Sequence, residues 1–177
     1  MKATGVVRRI DELGRVVIPK EIRKNLRIRE GENIEIYIDS NDNIVLKKFS
    51  FMKKLGDFAQ SFTDSIYSFL KHNIIITDAD QFLAVSGPLK KELLGKRISE
   101  QLMTCIERRE HILEKHSKEI SFSEGILKQG TYVIYSILVE GDVVGLVILF
   151  SETENISEVE EKVVQIAAQF LAKYLEA

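Results

Sequence analysis

The chain has 177 residues, 45% hydrophobic and 29% charged, which suits a globular protein of one medium or two small domains. A single cysteine excludes an internal disulfide and fits a reducing compartment. The absence of a run of about 20 apolar residues and the early charges argue against a bilayer span or a secretory signal, so we expect a cytoplasmic protein. The net charge of −2 is unevenly divided, because residues 1–50 carry eleven Lys/Arg against eight Asp/Glu, whereas residues 51–177 carry fourteen against nineteen. We therefore expect a polyanionic partner for the N-terminal segment.

The first motif is VRRIDELGRVVIPKEIRKNLRIR, residues 7–29. It predicts strands over residues 5–10 and 15–18, joined by a tight loop in which Gly14 takes a positive φ. Pro19 ends the second strand and is expected to be the first residue of a short helix.

Residues 20–26 are expected to be helical, with Ile22 and Leu26 on one face and cations on the others. The cations that this small unit displays are Arg8, Arg9, Arg15, Arg23 and Lys24. Such a cluster favours nucleic-acid binding over catalysis, although cations on a small domain are often only a solvated surface.

Residues 33–39 alternate apolar and polar side chains, which predicts a half-buried strand, and residues 44–48 are expected to return as its partner. Two hairpins in fifty residues can bury little apolar surface. A small unit of this kind usually gains stability by oligomerisation, and we expect a dimer.

Residues 51–71 carry apolar side chains at helical spacing and are expected to form a helix that joins two halves of the chain. The predicted domains are residues 1–50 and 51–177. No linker rich in Gly, Ser or Pro separates them, so a stiff connection is expected.

The second half alternates strands and helices. The predicted strands cover residues 73–78, 81–85, 131–139 and 143–150, polar helical segments cover 89–118, and a last helix covers 157–176. Ser157 and Glu160 have the spacing of a capping box at the start of that helix. Gly145 is expected to mark a bulge or a close packing contact. This order predicts an α+β sandwich with one antiparallel sheet.

Few residues are candidates for a catalytic or metal-binding role. His72, His111 and His116 have no metal-binding spacing and are expected to be exposed, while Cys105 is expected to be a small buried hydrophobe. No nucleophile–base order, paired carboxylates or glycine-rich phosphate loop emerges. We therefore expect no enzymatic activity, no metal and no cofactor.

The segments TGVVRRIDELGRVVIPKEIR, IREGENIEIYID and IVLKK closely resemble the AbrB-like transition-state regulators of spore-forming bacteria. The resemblance implies an all-β swapped-hairpin dimer whose basic residues contact double-stranded DNA. Matched onto this sequence, those residues are Arg8, Arg15, Arg23 and Lys24, with Arg9 alongside. Lys24 stands where members often have arginine, and lysine keeps the charge but loses the bidentate fork.

The whole chain resembles the stage V sporulation protein T family, whose second domain is GAF-like. This resemblance implies a transcription regulator of sporulation genes, an activator or a repressor, assembled as a homotetramer through helices 51–71 and 157–176. GAF-like domains commonly hold a small molecule, so a sensor and a purely assembling module both remain open. Candidate wall residues for such a pocket are Phe82, Ser86, Tyr132, Tyr135 and Ser136.

Three alternatives are also considered. An antitoxin could share the N-terminal fold, but it would normally continue as a disordered tail, and residues 51–177 are patterned to fold. A small-molecule sensor that does not bind DNA is the second. A GAF-like redox enzyme that reduces oxidised methionine is the third, and Cys105 lacks the resolving cysteine that such chemistry uses.

Overall fold

The computed structural model describes residues 5–31, 33–50, 52 and 55–176, and the chain divides into the units Met1–Phe49 and Ser50–Ala177. The regular elements of the first unit are α1 (Lys20–Leu26), β1 (Ile34–Ile38) and β2 (Ile44–Lys48). The two strands pair as an antiparallel hairpin in which Ile36 is opposite Leu46. Pro19 is the N-cap of α1 and not its first helical residue, which is Lys20. The Pro19 carbonyl accepts a hydrogen bond from the Arg23 amide at 3.0 Å.

The strands predicted over residues 5–10 and 15–18 are wrong for the single chain, because neither stretch pairs with another strand. The loop between them is closed, but no ladder continues from it along the arms. Apolar side chains that a paired strand would cover are exposed, Val7 by 89% and Val17 by 73%. The β-branched sequence therefore supplies strand propensity without a strand partner in its own chain.

The first unit buries very little. Of its described residues, only Pro19 is buried. In the β1–β2 hairpin, Ile36, Ile38 and Ile44 are 67–70% exposed, so the apolar face predicted to be half-buried is uncovered within one chain. An isolated two-stranded hairpin in this state is only marginally stable in water.

The second unit is a helix–sheet–helix sandwich. Its elements in chain order are α2 (Gly56–Leu70), β3 (Asn73–Asp78), β4 (Phe82–Ser86), α3 (Lys90–Leu93), α4 (Glu100–Arg108), β5 (Ile112–Ser123), β6 (Ile126–Val139), β7 (Asp142–Ser151) and α5 (Glu158–Glu176). The five strands form one antiparallel sheet in the order β4-β3-β7-β6-β5. The predicted α+β sandwich with one antiparallel sheet is thus confirmed.

Each face of this sheet has its own core. Ile74 and Ile76 of β3 pack on the side of α2 and α5, whereas Ile75 between them packs on the side of α3 and α4. Strands β3 and β7 are paired so closely that a Cβ added at Gly145 would lie 2.0 Å from the Thr77 carbonyl oxygen. The predicted close packing contact at Gly145 is therefore confirmed.

One segment differs in kind from its prediction. Residues 89–118 were expected to be helical, but only α3 and α4 are helices there, and β5 begins at Ile112. The first half of β5 carries charged residues on both sides because it is an edge strand, so its sequence lacks a clean alternation of apolar and polar residues. Of the predicted helix 51–71, residues 51, 53 and 54 lie outside the described residues, and α2 begins at Gly56.

The start of α5 confirms the predicted capping box. The Ser157 amide donates to Glu160 Oε2 at 2.6 Å, and the Glu160 amide donates to Ser157 Oγ at 3.3 Å. Because each side chain satisfies the other residue's free backbone amide, the helix starts at a defined residue.

Candidate nucleic-acid interface

The loop at residues 11–15 is fixed by one aspartate. Asp11 Oδ1 accepts hydrogen bonds from the amides of Leu13 at 3.0 Å and Arg15 at 2.8 Å, and the Gly14 amide donates to the Asp11 carbonyl at 2.9 Å. Gly14 has φ of 75°, as the sequence predicted. The aspartate thus takes the place of a backbone acceptor in a tight turn.

The same aspartate holds the side chain of Arg15. Arg15 Nε donates to Asp11 Oδ2 at 2.8 Å, and the two side chains are 71% and 43% exposed, respectively. Hydrogen bonds from the Arg15 backbone and side chain lower the pKa of Asp11 below its ordinary value. The carboxylate is therefore charged at neutral pH.

Helix α1 carries two further candidate residues. Arg23 and Lys24 are exposed in its last turn, and the helix ends at Arg27, a C-cap residue in the left-handed conformation with φ of 53°. The Arg27 carbonyl accepts a hydrogen bond from Lys48 Nζ at 3.1 Å, which ties the end of α1 to β2. The helix is therefore anchored while its cations face water.

All five sequence-predicted residues lie on the N-terminal unit with exposed side chains. Arg8 and Arg9 are on the extended arm before the loop, Arg15 is at the end of the loop, and Arg23 and Lys24 are on α1. Exposed cations on a hydrogen-bonded loop and a short helix can contact phosphate oxygens or base edges.

The second unit does not bring the candidate pocket residues together. Phe82 and Tyr132 are buried in the core beside α3 and α4, whereas Tyr135 packs on the opposite face of the sheet and Ser86 contacts α2. In the core beside α3 and α4, the Phe122 ring lies 6.3 Å from Phe82 and 5.2 Å from Phe150 between centroids. Phe82 and Tyr132 therefore do not line one pocket together with Tyr135.

His72 is a polar contact that the sequence prediction missed. It was expected to be exposed, yet its side chain is only 7% exposed, and its Nε2 lies 2.7 Å from Glu160 Oε1. The contact joins the end of α2 to the first turn of α5. The two residues are 88 positions apart, so no local sequence pattern predicts their contact.

The remaining candidates for reactive or metal-binding groups have little support. Cys105 is buried as predicted, and burial, followed by the charge of Glu110, raises the pKa of its thiol. Among the described residues, no group of three or more His, Cys, Asp or Glu side chains could hold a metal ion. None of the helices in the described part of the chain is long and apolar enough to cross a membrane.

Helices α2 and α5 share a surface of stacked aromatic rings, which we call the α2–α5 aromatic surface: Phe58, Phe62, Phe170 and Tyr174. The ring centroids of Phe58 and Tyr174 are 4.8 Å apart, and those of Phe62 and Phe170 are 5.5 Å apart. Phe170 and Tyr174 are still 46% and 45% exposed, which leaves apolar area available to another molecule.

Family models match both units. Residues 54–176 match the family described as stage V sporulation protein T C-terminal, transcription factor. Residues 7–50 match the family described as antidote-toxin recognition MazE, bacterial antitoxin.

Two relatives from Bacillus subtilis (strain 168) are similar in sequence. Stage V sporulation protein T is 47% identical over 177 residues, 99% of each chain. The transition state regulatory protein AbrB is 57% identical over 49 residues, which is 28% of this chain and 50% of AbrB. The predicted resemblance to AbrB-like regulators is thereby confirmed for the N-terminal unit.

Two solved structures share the fold at low sequence identity. The GAF domain of the nutrient sensor CodY from Clostridium difficile has a TM-score of 0.51 at 12% identity, covering 88% of this chain and 94% of that chain. A type II free methionine-R-sulfoxide reductase from Thermoplasma acidophilum has a TM-score of 0.54 at 11% identity, covering 72% and 95%. These likenesses confirm the GAF-like fold of the second unit. With the match over residues 54–176 and 47% identity along 99% of both chains, the chain belongs to the stage V sporulation protein T family of sporulation transcription regulators.

Proposed function

We propose that the N-terminal unit binds double-stranded DNA in the bacterial nucleoid through Arg8, Arg9, Arg15, Arg23 and Lys24. The observation that carries this proposal is the exposure of all five cations on the small N-terminal unit. The first 30 residues hold nine Lys/Arg against four Asp/Glu, so the unit has the electrostatic footprint of a polyanion binder. The protein acts as a regulator, not as an enzyme.

The N-terminal units form a dimer in this proposal. The support is the uncovered apolar surface of one chain, since the arms at residues 5–10 and 15–18 have no strand partner and Ile36, Ile38 and Ile44 are exposed. Exchange of hairpins between two copies would supply both the missing strand pairing and the missing cover. The domain division that accompanies this proposal is residues 1–50 and 51–177.

The dimers then join into a tetramer through the α2–α5 aromatic surface. Four stacked rings, two of them nearly half exposed, supply the apolar area that such contacts bury. Assembly is the role that the C-terminal unit supports best, because the α2–α5 aromatic surface leaves apolar area exposed for contact with another chain. A small molecule that bound this unit would act by changing the spacing of the DNA-binding dimers.

The antitoxin alternative rests on the match over residues 7–50. An antitoxin tail folds around its toxin, whereas the unit that follows here has a five-stranded sheet and two cores of its own. Limited proteolysis distinguishes the two, since a folded C-terminal unit resists cleavage and an unfolded tail does not.

The decisive experiment is fluorescence anisotropy of the full chain on a duplex from a sporulation promoter and on its scrambled version, over a salt series. Ten cations in a dimer give a slope of log K against log salt of at most about −9. Arg15→Ala should weaken binding, whereas Lys91→Ala, an exposed cation of α3, should not. Absence of binding at low salt by an intact oligomer would refute the proposal.

A further inference from the structure

The two tight loops of the N-terminal unit share one design. In residues 39–43, Asp39 Oδ1 accepts from the amides of Asn41 at 2.8 Å and Asn43 at 3.0 Å, as Asp11 does from Leu13 and Arg15. In both loops the aspartate amide donates to the carbonyl of the fifth residue at 3.0 Å. The fourth residue has a positive φ in both, 75° at Gly14 and 58° at Asp42.

The loops differ in what the aspartate does with its other oxygen. In the second loop the fifth residue is Asn43, whose short amide returns to Asp39 at 3.1–3.2 Å and stays within the turn. In the first loop the fifth residue is Arg15, and only its Nε is used, at 2.8 Å from Asp11 Oδ2. The turn therefore closes in both cases, but the first loop also holds a long cation at its base.

A guanidinium group held at Nε keeps its two terminal nitrogens free as a parallel pair of donors. That pair fits the O6 and N7 acceptors of guanine or two phosphate oxygens. A flexible arginine must lose rotamer freedom when it binds, whereas a side chain already held by a carboxylate has lost part of that freedom in the free protein. The carboxylate also repels phosphates and offsets the charge of Arg15.

We propose that Asp11 is a positioning residue for DNA recognition, which directs the terminal nitrogens of Arg15 toward base edges and limits their use as a general phosphate contact. This inference rests on the proposed function, since it assumes that the N-terminal unit binds DNA. It assigns to Asp11 a role in sequence discrimination at the expense of overall affinity.

The test is the Asp11→Asn variant of the full chain. Asparagine keeps Oδ1 as acceptor for the two loop amides, but it places an NH₂ donor opposite Arg15 Nε, so the loop persists and the hold on Arg15 is lost. The matched control is Asp39→Asn, which makes the same change in the second loop. Circular dichroism and sedimentation of each variant verify fold and assembly.

The probes are a duplex that the wild-type protein enriches from a random pool and a scrambled duplex of the same composition. In Asp11→Asn the ratio of affinities for the two duplexes should fall by at least about fivefold, because one oriented pair of donors is lost. Affinity for the scrambled duplex should rise, and its slope against log salt should steepen by up to about 1.8, because one more cation in each chain of the dimer is free to bind phosphate.

A double-mutant cycle with Arg15→Lys decides whether Asp11 acts through Arg15. Lysine keeps the charge but has neither Nε nor the paired donors, so in that background Asp11→Asn should change the ratio by less than about twofold. The inference would be overturned if Asp11→Asn lowered the affinity for both duplexes equally or left the ratio of affinities unchanged. It would also be overturned if Asp39→Asn had the same effect, or if Asp11→Asn lowered the ratio further in the Arg15→Lys background. Absence of any DNA binding by the wild type would instead refute the proposed function, whereas binding without enrichment of any duplex would overturn this inference alone. Both outcomes would be seen before any variant is compared.

Discussion

Gln60 of α2 binds both main-chain groups of Val85 on the outer edge of β4. Gln60 Nε2 donates to the Val85 carbonyl at 3.1 Å, and the Val85 amide donates to Gln60 Oε1 at 3.3 Å. One side-chain amide therefore replaces a neighbouring strand at this edge of the sheet. Phe82 of the same strand donates its amide to the Lys96 carbonyl and accepts from the Gly95 amide, so these positions of the edge are not open to pairing with another chain.

Gln60→Ala should lower the free energy of unfolding by about 1–3 kcal/mol, because it leaves the buried Val85 amide and carbonyl without partners. Urea unfolding measures the change, and hydrogen exchange should show loss of protection at the Val85 amide. Ser61→Ala, an exposed change on the same helix, is the control. Equal stability of the two variants would contradict the role given to Gln60.

Glu160→Gln should destabilise the C-terminal unit in a pH-dependent manner. Desolvation raises the pKa of Glu160, but hydrogen bonds from Ser157 and the proximity of His72 outweigh it, so the pKa lies below its ordinary 4.5. A lowered pKa in the folded state means that the carboxylate contributes stability above pH 4.5 and loses it as the pH falls through the folded pKa.

The expected difference between wild type and Glu160→Gln is about 1–3 kcal/mol at pH 7, and it should shrink below pH 4.5. Urea unfolding at several pH values measures it. Glu158→Gln, an exposed change in the same helical turn, should show little effect at any pH. A difference that stayed constant down to pH 3 would rule out this account.

Phe62→Ser and Phe170→Ser should each weaken assembly beyond the dimer, because they remove stacked rings from the α2–α5 aromatic surface. Sedimentation velocity over a concentration series measures the shift from tetramer to dimer, and DNA binding by the dimer should persist. Phe69→Ser is the control, since Phe69 is 86% exposed and lies outside the stacked set. An unchanged tetramer in all three variants would place the contact elsewhere.

The Cys105 thiol should resist alkylation in the folded protein. It is buried, and burial together with the charge of Glu110 raises the pKa of the thiol, so the reactive thiolate is scarce and shielded. Iodoacetamide at pH 8 should label it only after denaturation. Rapid labelling of the native protein, with loss of a measurable activity in Cys105→Ser, would revive the redox-enzyme alternative.

Sequence patterns anticipated the elements with strong periodicity. Strands β2 and β3 have the predicted bounds, and the Ser157–Glu160 spacing predicted the start of α5. These features depend on neighbours in the chain, so local rules suffice for them.

The features that were missed depend on distant partners. The histidine–carboxylate contact at Glu160 joins residues that come together only in the folded C-terminal unit. Strand β5 is missed because an edge strand need not alternate apolar and polar residues, so its charged first half does not read as a strand. The hydrogen-bond pattern that the loops at residues 11–15 and 39–43 share is not predictable from the sequence, because DELGR and DSNDN have only the first residue in common.

The alternation of β3 and β7 between two cores has a consequence for how the C-terminal unit unfolds. Leu146 and Ile148 of β7 belong to the core beside α3 and α4, whereas Val147 and Leu149 belong to the core beside α2 and α5. If either pair of helices separated from the sheet, it would expose one face of β3 and β7, and the other pair of helices packs on the opposite face of the same strands. The amides of β3 and β7 should therefore exchange only through global opening, and both layers should be lost in a single cooperative transition.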